Sequence, residues 1–288
     1  MRQALVVALL AAVSVIACGQ ANGDAPIPTP VSPPVGALAA WAAFPAAKTP
    51  RPVVLIANLS PEGGFGTDTS KIAALCHKFT SVITLSEVAP RGANVSWSTG
   101  TKGTYPAISA AAALTAMTQP GPGSSESYCT TVKPVVFTAV RFGRYGFITD
   151  RGGAQMDSWL FTTSAFSGEM AYPAVAPPAI WNADLAHGLA DSGSTLSADG
   201  LTLTFGFVGA AQTGACGADY RAAVAESETA VAIALGETPH STDTNIVCDA
   251  VGYPRSVDVP LASPLGGRVV LDASGNFAPV CPAAKPEC

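Results

Sequence analysis

The sequence predicts a strand-dominated α+β fold, built of hairpins and a small β-sandwich or barrel and stapled by disulfides. Three observations point there. Seven cysteines are present; Cys18 closes an apolar leader, and the other six form an even set that pairs in an oxidising space. Short runs of β-branched and aromatic residues recur between Gly, Pro, Asn and Asp turn signals. Charged residues make up 12 % of the chain against 48 % apolar, a balance that excludes disorder for the body.

The leader begins with Met1-Arg2-Gln3 and continues as a charge-free run from Ala4 to Val15. As helix, that run covers about 18 Å, well short of a ~30 Å hydrocarbon core. A cleaved export signal over residues 1–17 is therefore expected, not a permanent span. Val15-Ile16-Ala17-Cys18 resembles the lipobox of bacterial lipoproteins. The resemblance implies cleavage before Cys18 and acylation of its thiol, palmitate included, with the mature chain held at the extracytoplasmic face of the membrane. Two or more acyl chains hold firmly, at ~0.8 kcal/mol per buried CH₂.

Residues 18–52 read as a Pro/Ala-rich tether, because prolines at 26, 28, 30, 33, 34, 45, 50 and 52 remove donors and favour extended backbone. At ~3.1 Å per residue such a tether reaches about 100 Å. Trp41 and Phe44 near its end are expected to dock on the body. The body divides into an α+β domain over 53–192 and a β-rich domain over 193–288, or forms one continuous domain. The polar, Gly- and Ser-rich stretch from Asn182 to Gly200 is the candidate boundary.

Along the body, Arg51 to Ala57 predicts a first strand. A helix follows Asp68 or Thr69 as N-cap, with Ile72, Leu75, Cys76 and Phe79 on one stripe. Ser109 caps a second helix over Ala110 to Met117, closed by Pro120-Gly121-Pro122-Gly123. Val135 to Phe142 predicts a strand broken at Gly143 and resumed at Tyr145 to Thr149. Asp150-Arg151-Gly152-Gly153 then turns the chain into Gln155 to Thr162, the clearest hairpin in the sequence. Leu201 to Val208, Thr229 to Leu235, Ser256 to Leu261 and Arg268 to Asp272 are further strands, spaced as in a small sandwich or barrel.

Several of these segments together are similar to a group of exported actinobacterial lipoproteins. They are Pro50-Arg51-Pro52-Val53-Val54-Leu55, Val140-Arg141-Phe142-Gly143, Thr149-Asp150-Arg151-Gly152, Trp159-Leu160-Phe161, Ala225-Glu226-Ser227 and Pro264-Leu265-Gly266-Gly267-Arg268. The resemblance implies an envelope location and no activity. Met156-Asp157-Ser158 is more polar than that group's pattern.

Net charge is −5; loss of Arg2 with the leader makes it −5 − 1 = −6. With no basic tract, nucleic-acid binding is not expected. No C-x₂-C pair exists and His77, His187 and His240 lie far apart, so no metal and no cofactor are expected. Of the fifteen connectivities of Cys76, Cys129, Cys216, Cys248, Cys281 and Cys288, nearest-neighbour pairing is the expected one. Loop entropy then gives ~4 kcal/mol for each of the first two bridges and ~2 for the short terminal one.

No catalytic residue is assigned. A G-x-S-x-G elbow is missing, Ser124-Ser125 sits in a Pro/Gly loop, and the three histidines have no motif context. Glu226 and Glu228, two apart, would share a strand face at a spacing open to acid/base work, though a solvated turn edge is the simpler reading. The densest basic-aromatic stretch gives the preferred ligand surface, Arg141, Arg144, Tyr145 and Arg151, where guanidinium forks and ring faces suit a carboxylate or a sugar. The expected role is a non-enzymatic binding or interaction module of the cell envelope, with an envelope protein or glycan as partner. A cell-envelope hydrolase and a structural accessory are the alternatives.

Overall fold

The computed structural model describes residues 31–56, 63–120, 126–182 and 193–286. The signal segment 1–17, Cys18, Ser124, Ser125, His187 and Cys288 lie outside the described residues. The chain opens with α1 (Val35–Leu38), β1 (Val53–Leu55), α2 (Asp68–Leu75), β2 (Phe79–Ser81), β3 (Ala93–Trp97), β4 (Lys102–Tyr105) and α3 (Ala110–Met117). There follow β5 (Val135–Phe137), β6 (Ala139–Thr149), β7 (Gly152–Thr162), β8 (Met170–Pro173) and β9 (Ile180–Asn182). Last come β10 (Ser194–Leu196), β11 (Thr202–Gly209), β12 (Ala218–Glu226), β13 (Ala230–Pro239), β14 (Tyr253–Pro260), β15 (Val269–Asp272) and β16 (Val280–Pro282). The fold is strand-dominated α+β.

Local chemistry explains the main elements. Helix α3 starts where Ser109 Oγ accepts the Ala112 N–H, satisfying one of the orphan donors of the first turn. Helix α2 is capped by Thr67, not by Asp68 or Thr69, through a reciprocal Thr67–Ser70 box. Its buried face is Ser70, Ala73 and Ala74, not the stripe from Ile72 to Phe79. The helix ends at Leu75, and His77 takes φ 55°, which turns Phe79 out of the helix and into β2.

The β6–β7 hairpin turns at Asp150-Arg151, with Gly152 at φ 78°. Thr149 Oγ1 accepts the Arg151 N–H and donates to the Gly152 carbonyl. Gly143 does not break the strand as expected. A Cβ there would lie 2.8 Å from Arg141 Nη1 and 2.9 Å from Leu160 Cδ1; the bare backbone is where those two side chains cross.

The first sheet has the order β4-β3-β7-β6-β1-β9, with β8 also on β7. Strands β3 and β8 occupy the same edge of β7 in succession, at Ala154–Met156 and then Ser158–Phe161. Asp157 fills the gap. Its Oδ2 accepts both the backbone N–H and the amide of Asn94, at 2.8 and 2.9 Å. The unusual polarity of Met156-Asp157-Ser158 therefore stitches two partial strands onto one long one.

The second half contains the small sandwich. The sheet β14-β11-β10-β16 faces β12-β13-β15, with Leu203, Phe205 and Val259 against Val231, Ile233 and Val270. The opposite face of β13 presents Ala230 and Ala232, small enough to seat Trp41 and Phe44. Being covered on both sides, β13 reads as a continuous apolar run and lacks alternation.

That packing corrects the extent of the tether. Trp41 and Phe44 are each 2 % exposed; Trp41 meets Phe277 edge-on at 4.9 Å, and Phe44 meets Trp181 at 5.3 Å. A Cβ on Gly267 would lie 1.9 Å from the Ala46 carbonyl oxygen, so the backbones touch there. Proline content favours extended chain, but two buried aromatic rings outweigh it, and residues 35–52 belong to the body. The same cluster includes Val54 of β1 beside Val269 and Leu271 of β15, joining the segments before and after residue 193.

Disulfides link Cys76 to Cys129 and Cys216 to Cys248, two nearest-neighbour pairs. Cys281 is also disulfide-bonded; its expected partner Cys288 lies outside the described residues. No described helix is long and apolar enough to cross a membrane.

Candidate functional site

Pairing of β1 with β6 at Leu55↔Thr149 sets Arg51 beside the tip of the β6–β7 hairpin. There Asp150, 2 % exposed, receives both Arg51 Nη atoms in a fork, with Nη1–Oδ1 at 3.2 Å. Arg51 Nε donates to the Gly267 carbonyl at 2.6 Å, and the guanidinium lies 4.7 Å from the Phe44 ring centre. Arg151 approaches the same carboxylate at 3.7 Å and donates to the carbonyls of Gly266 and Arg268 at 2.7 and 2.8 Å. Burial pushes the Arg151 guanidinium down to about 10; Asp150 opposes that shift and Arg51 adds to it. Arg268 in turn donates to Glu226 at 2.6 Å and to the carbonyls of Leu265, Ser263 and Pro264. Three guanidiniums against two carboxylates leave this row at 3 − 2 = +1.

Above the row opens a cleft of about 680 Å³, where β4 ends the first sheet and β16 ends the sandwich sheet. One wall is Trp97, Thr101, Lys102, Gly103 and Tyr105; the other is Leu196, Ser197, Val280, Pro282 and Ala283. Arg51, Arg151 and Gly266 form the inner end. Trp97 Nε1 donates to Thr149 Oγ1 at 3.2 Å, and the Tyr105 hydroxyl donates to the Arg51 carbonyl at 2.9 Å. Burial pushes the Tyr105 phenol up, against the pull of Arg51. Its ring folds back over Gly103, whose Cβ would sit 2.8 Å from Cε2. Lys285 Nζ donates to the Ser98 carbonyl at 3.1 Å, tying the two sheets together. Such a volume falls within the ~300–1,000 Å³ of small-molecule sites, with largely apolar walls and a few polar groups.

The four residues of the expected ligand surface do not meet on one face. Arg141 and Tyr145 lie on one side of β6 and Arg144 on the other, as strand alternation requires. Arg141 pairs with Glu169, Arg144 donates to Ser96 and to the Gln155 carbonyl, and Tyr145 packs edge-on to Phe147 at 5.3 Å. Arg151, ten residues from Arg141, is about 30 Å away along the strand. It alone of the four lines the cleft.

The remaining candidates separate as well. Glu226 ends β12 whereas Glu228 falls in the turn before β13, so the two do not share a strand face. Glu226 is engaged by Arg268 and by the Ala262 N–H at 2.8 Å. His77 Nδ1 bonds the Met117 carbonyl at 3.0 Å. His240 contacts Asp219 and the Gly214 carbonyl, each at 3.2 Å. Among the described residues no group of three or more His, Cys, Asp or Glu has metal-holding geometry.

Sequence reasoning singled out neither Trp97, Lys102 nor Leu196. They stand on segments far apart in the chain, and no local motif joins them. No protein-family model, curated protein or solved structure matches the chain.

Proposed function

We propose that the chain is a lipid-anchored, extracytoplasmic binding protein of the cell envelope, with the cleft between β4 and β16 as its ligand site. The observation that carries the site is the cleft itself: its volume, its apolar walls and the cationic side chains of Arg51, Lys102 and Arg151 that line it. The leader and the lipobox-like Val15-Ile16-Ala17-Cys18 support the location, as do the disulfides, which persist in oxidising compartments. A non-enzymatic role fits a site whose ionisable groups are guanidiniums, an ammonium and a phenol, with Glu226 engaged elsewhere.

Native mass spectrometry of protein drawn gently from its own membranes tests the site. A co-purifying small molecule is expected on the wild type and absent from Leu196→Trp, where the indole fills the cleft. Retention of the molecule by Leu196→Trp moves the site elsewhere. The anchor has its own check. Cys18→Ser is expected to shift the protein from the membrane pellet to the medium, and unchanged pelleting counts against acylation.

A further inference from the structure

We infer that the cleft takes an organic anion: an apolar body bearing one negatively charged head, carboxylate or phosphate, seated at the Lys102 side. The inference rests on the cleft being the ligand site. Among the described residues, the charged side chains lining the cleft are Arg51, Lys102 and Arg151, all cationic, and no carboxylate lines it. Asp150 lies beneath the two arginines and Asp199 accepts from Ser197 Oγ at 2.6 Å behind the other wall, so the local formal charge is 3 − 2 = +1. Low-dielectric walls focus such a field and raise the local concentration of anions.

The cations divide the work. Arg51 and Arg151 hold Asp150 and the carbonyls of Gly266, Gly267 and Arg268, and they contribute field. Lys102 is exposed on the terminal strand β4, where its flexible stem carries three donors to the ligand head. Thr101 adds a hydroxyl nearby, and Leu196, Val280 and Pro282 receive the apolar body. The lowered Arg151 guanidinium agrees with this: burial costs its charge more than Asp150 returns, and a second anion nearby offsets the difference. Among the described residues, a cationic ligand would find no acid lining these walls.

The test uses two fluorescent probes of one ring system, 8-anilinonaphthalene-1-sulfonate and the uncharged N-phenyl-1-naphthylamine. They are titrated onto the full chain in the detergent-free Cys18→Ser background, alone and with Lys102→Gln or Leu196→Trp. The sulfonate is expected to bind at least ~10-fold tighter than the neutral probe, and less tightly as salt is raised. Lys102→Gln should weaken the sulfonate about tenfold and leave the neutral probe unchanged within about twofold. Equal affinity for both probes, both indifferent to Lys102→Gln, overturns the anion and leaves the cleft standing. If Leu196→Trp weakens neither probe, the cleft reading itself falls. Displacement of the sulfonate by dodecanoate or by dodecyl phosphate supports the inference, and their order separates a free carboxylate from a phosphate headgroup. Equal displacement by dodecanol overturns it.

Discussion

Asp150→Ala is expected to lower the unfolding free energy by about 3–5 kcal/mol, the cost of removing one partner from a buried ion pair. The carboxylate is 2 % exposed and takes a guanidinium fork from Arg51 and a longer ionic contact, at 3.7 Å, from Arg151. Without it two partly buried cations are left without their shared carboxylate at the hairpin tip. Urea unfolding of wild type and variant measures the difference. Asp150→Asn, which keeps the shape and an acceptor, should lose less. A loss below about 1 kcal/mol for Asp150→Ala would mean that water in the cleft screens both guanidiniums and that the pair contributes little. The effect should spread beyond the hairpin, because Arg51 also donates to Gly267 and Arg151 to Gly266 and Arg268. Loosened arginines release the 262–268 loop and the inner end of the cleft together.

Replacing Cys76 and Cys129 together by alanine is expected to cost about 4 kcal/mol on the loop-entropy model. The bridge spans a sequence separation of 53 and ties the end of α2 to the short helical turn Ser127–Thr130. Both cysteines are buried, so the alanines also lose packing. The Cys216–Cys248 bridge, with a separation of 32, should cost about 3.7 kcal/mol by the same model. Midpoints of denaturant unfolding for the two double variants give the comparison. Indifference of the first pair would imply that the reduced, unfolded chain is already compact around α2.

Where local rules act alone, the sequence shows the fold. Helix α3 has a serine cap followed by an alanine run, and the β6–β7 hairpin has Asp-Arg-Gly at its tip; both are visible in the residues themselves. Strand β12 is not, because Ala-Asp-Tyr-Arg-Ala-Ala-Val-Ala-Glu has weak strand propensity, and it forms by pairing along the length of β13. Gly143 misled because glycine is read as a breaker, whereas here it makes room for neighbours across the strand. The Glu226–Glu228 spacing misled because the turn begins between them. The cleft was hidden for a different reason: its walls come from residues near 97–105, 196–198 and 280–284, and only the meeting of two sheet ends brings them together. Arg151 was visible as a cation beside turn glycines, but its partners, the carbonyls of Gly266 and Arg268, lie over a hundred residues away.

The clasp of Trp41, Phe44 and Ala46 on the sandwich shortens the leash. Under the proposed anchoring at Cys18, at most the residues up to Pro34 precede the docked segment, and sixteen residues at full extension span no more than about 58 Å. That ceiling is a little under half the standoff that all of 18–52 would permit at the same rise per residue. On the proposed anchoring and ligand site, a ligand carried by this protein would be held within that reach of the bilayer.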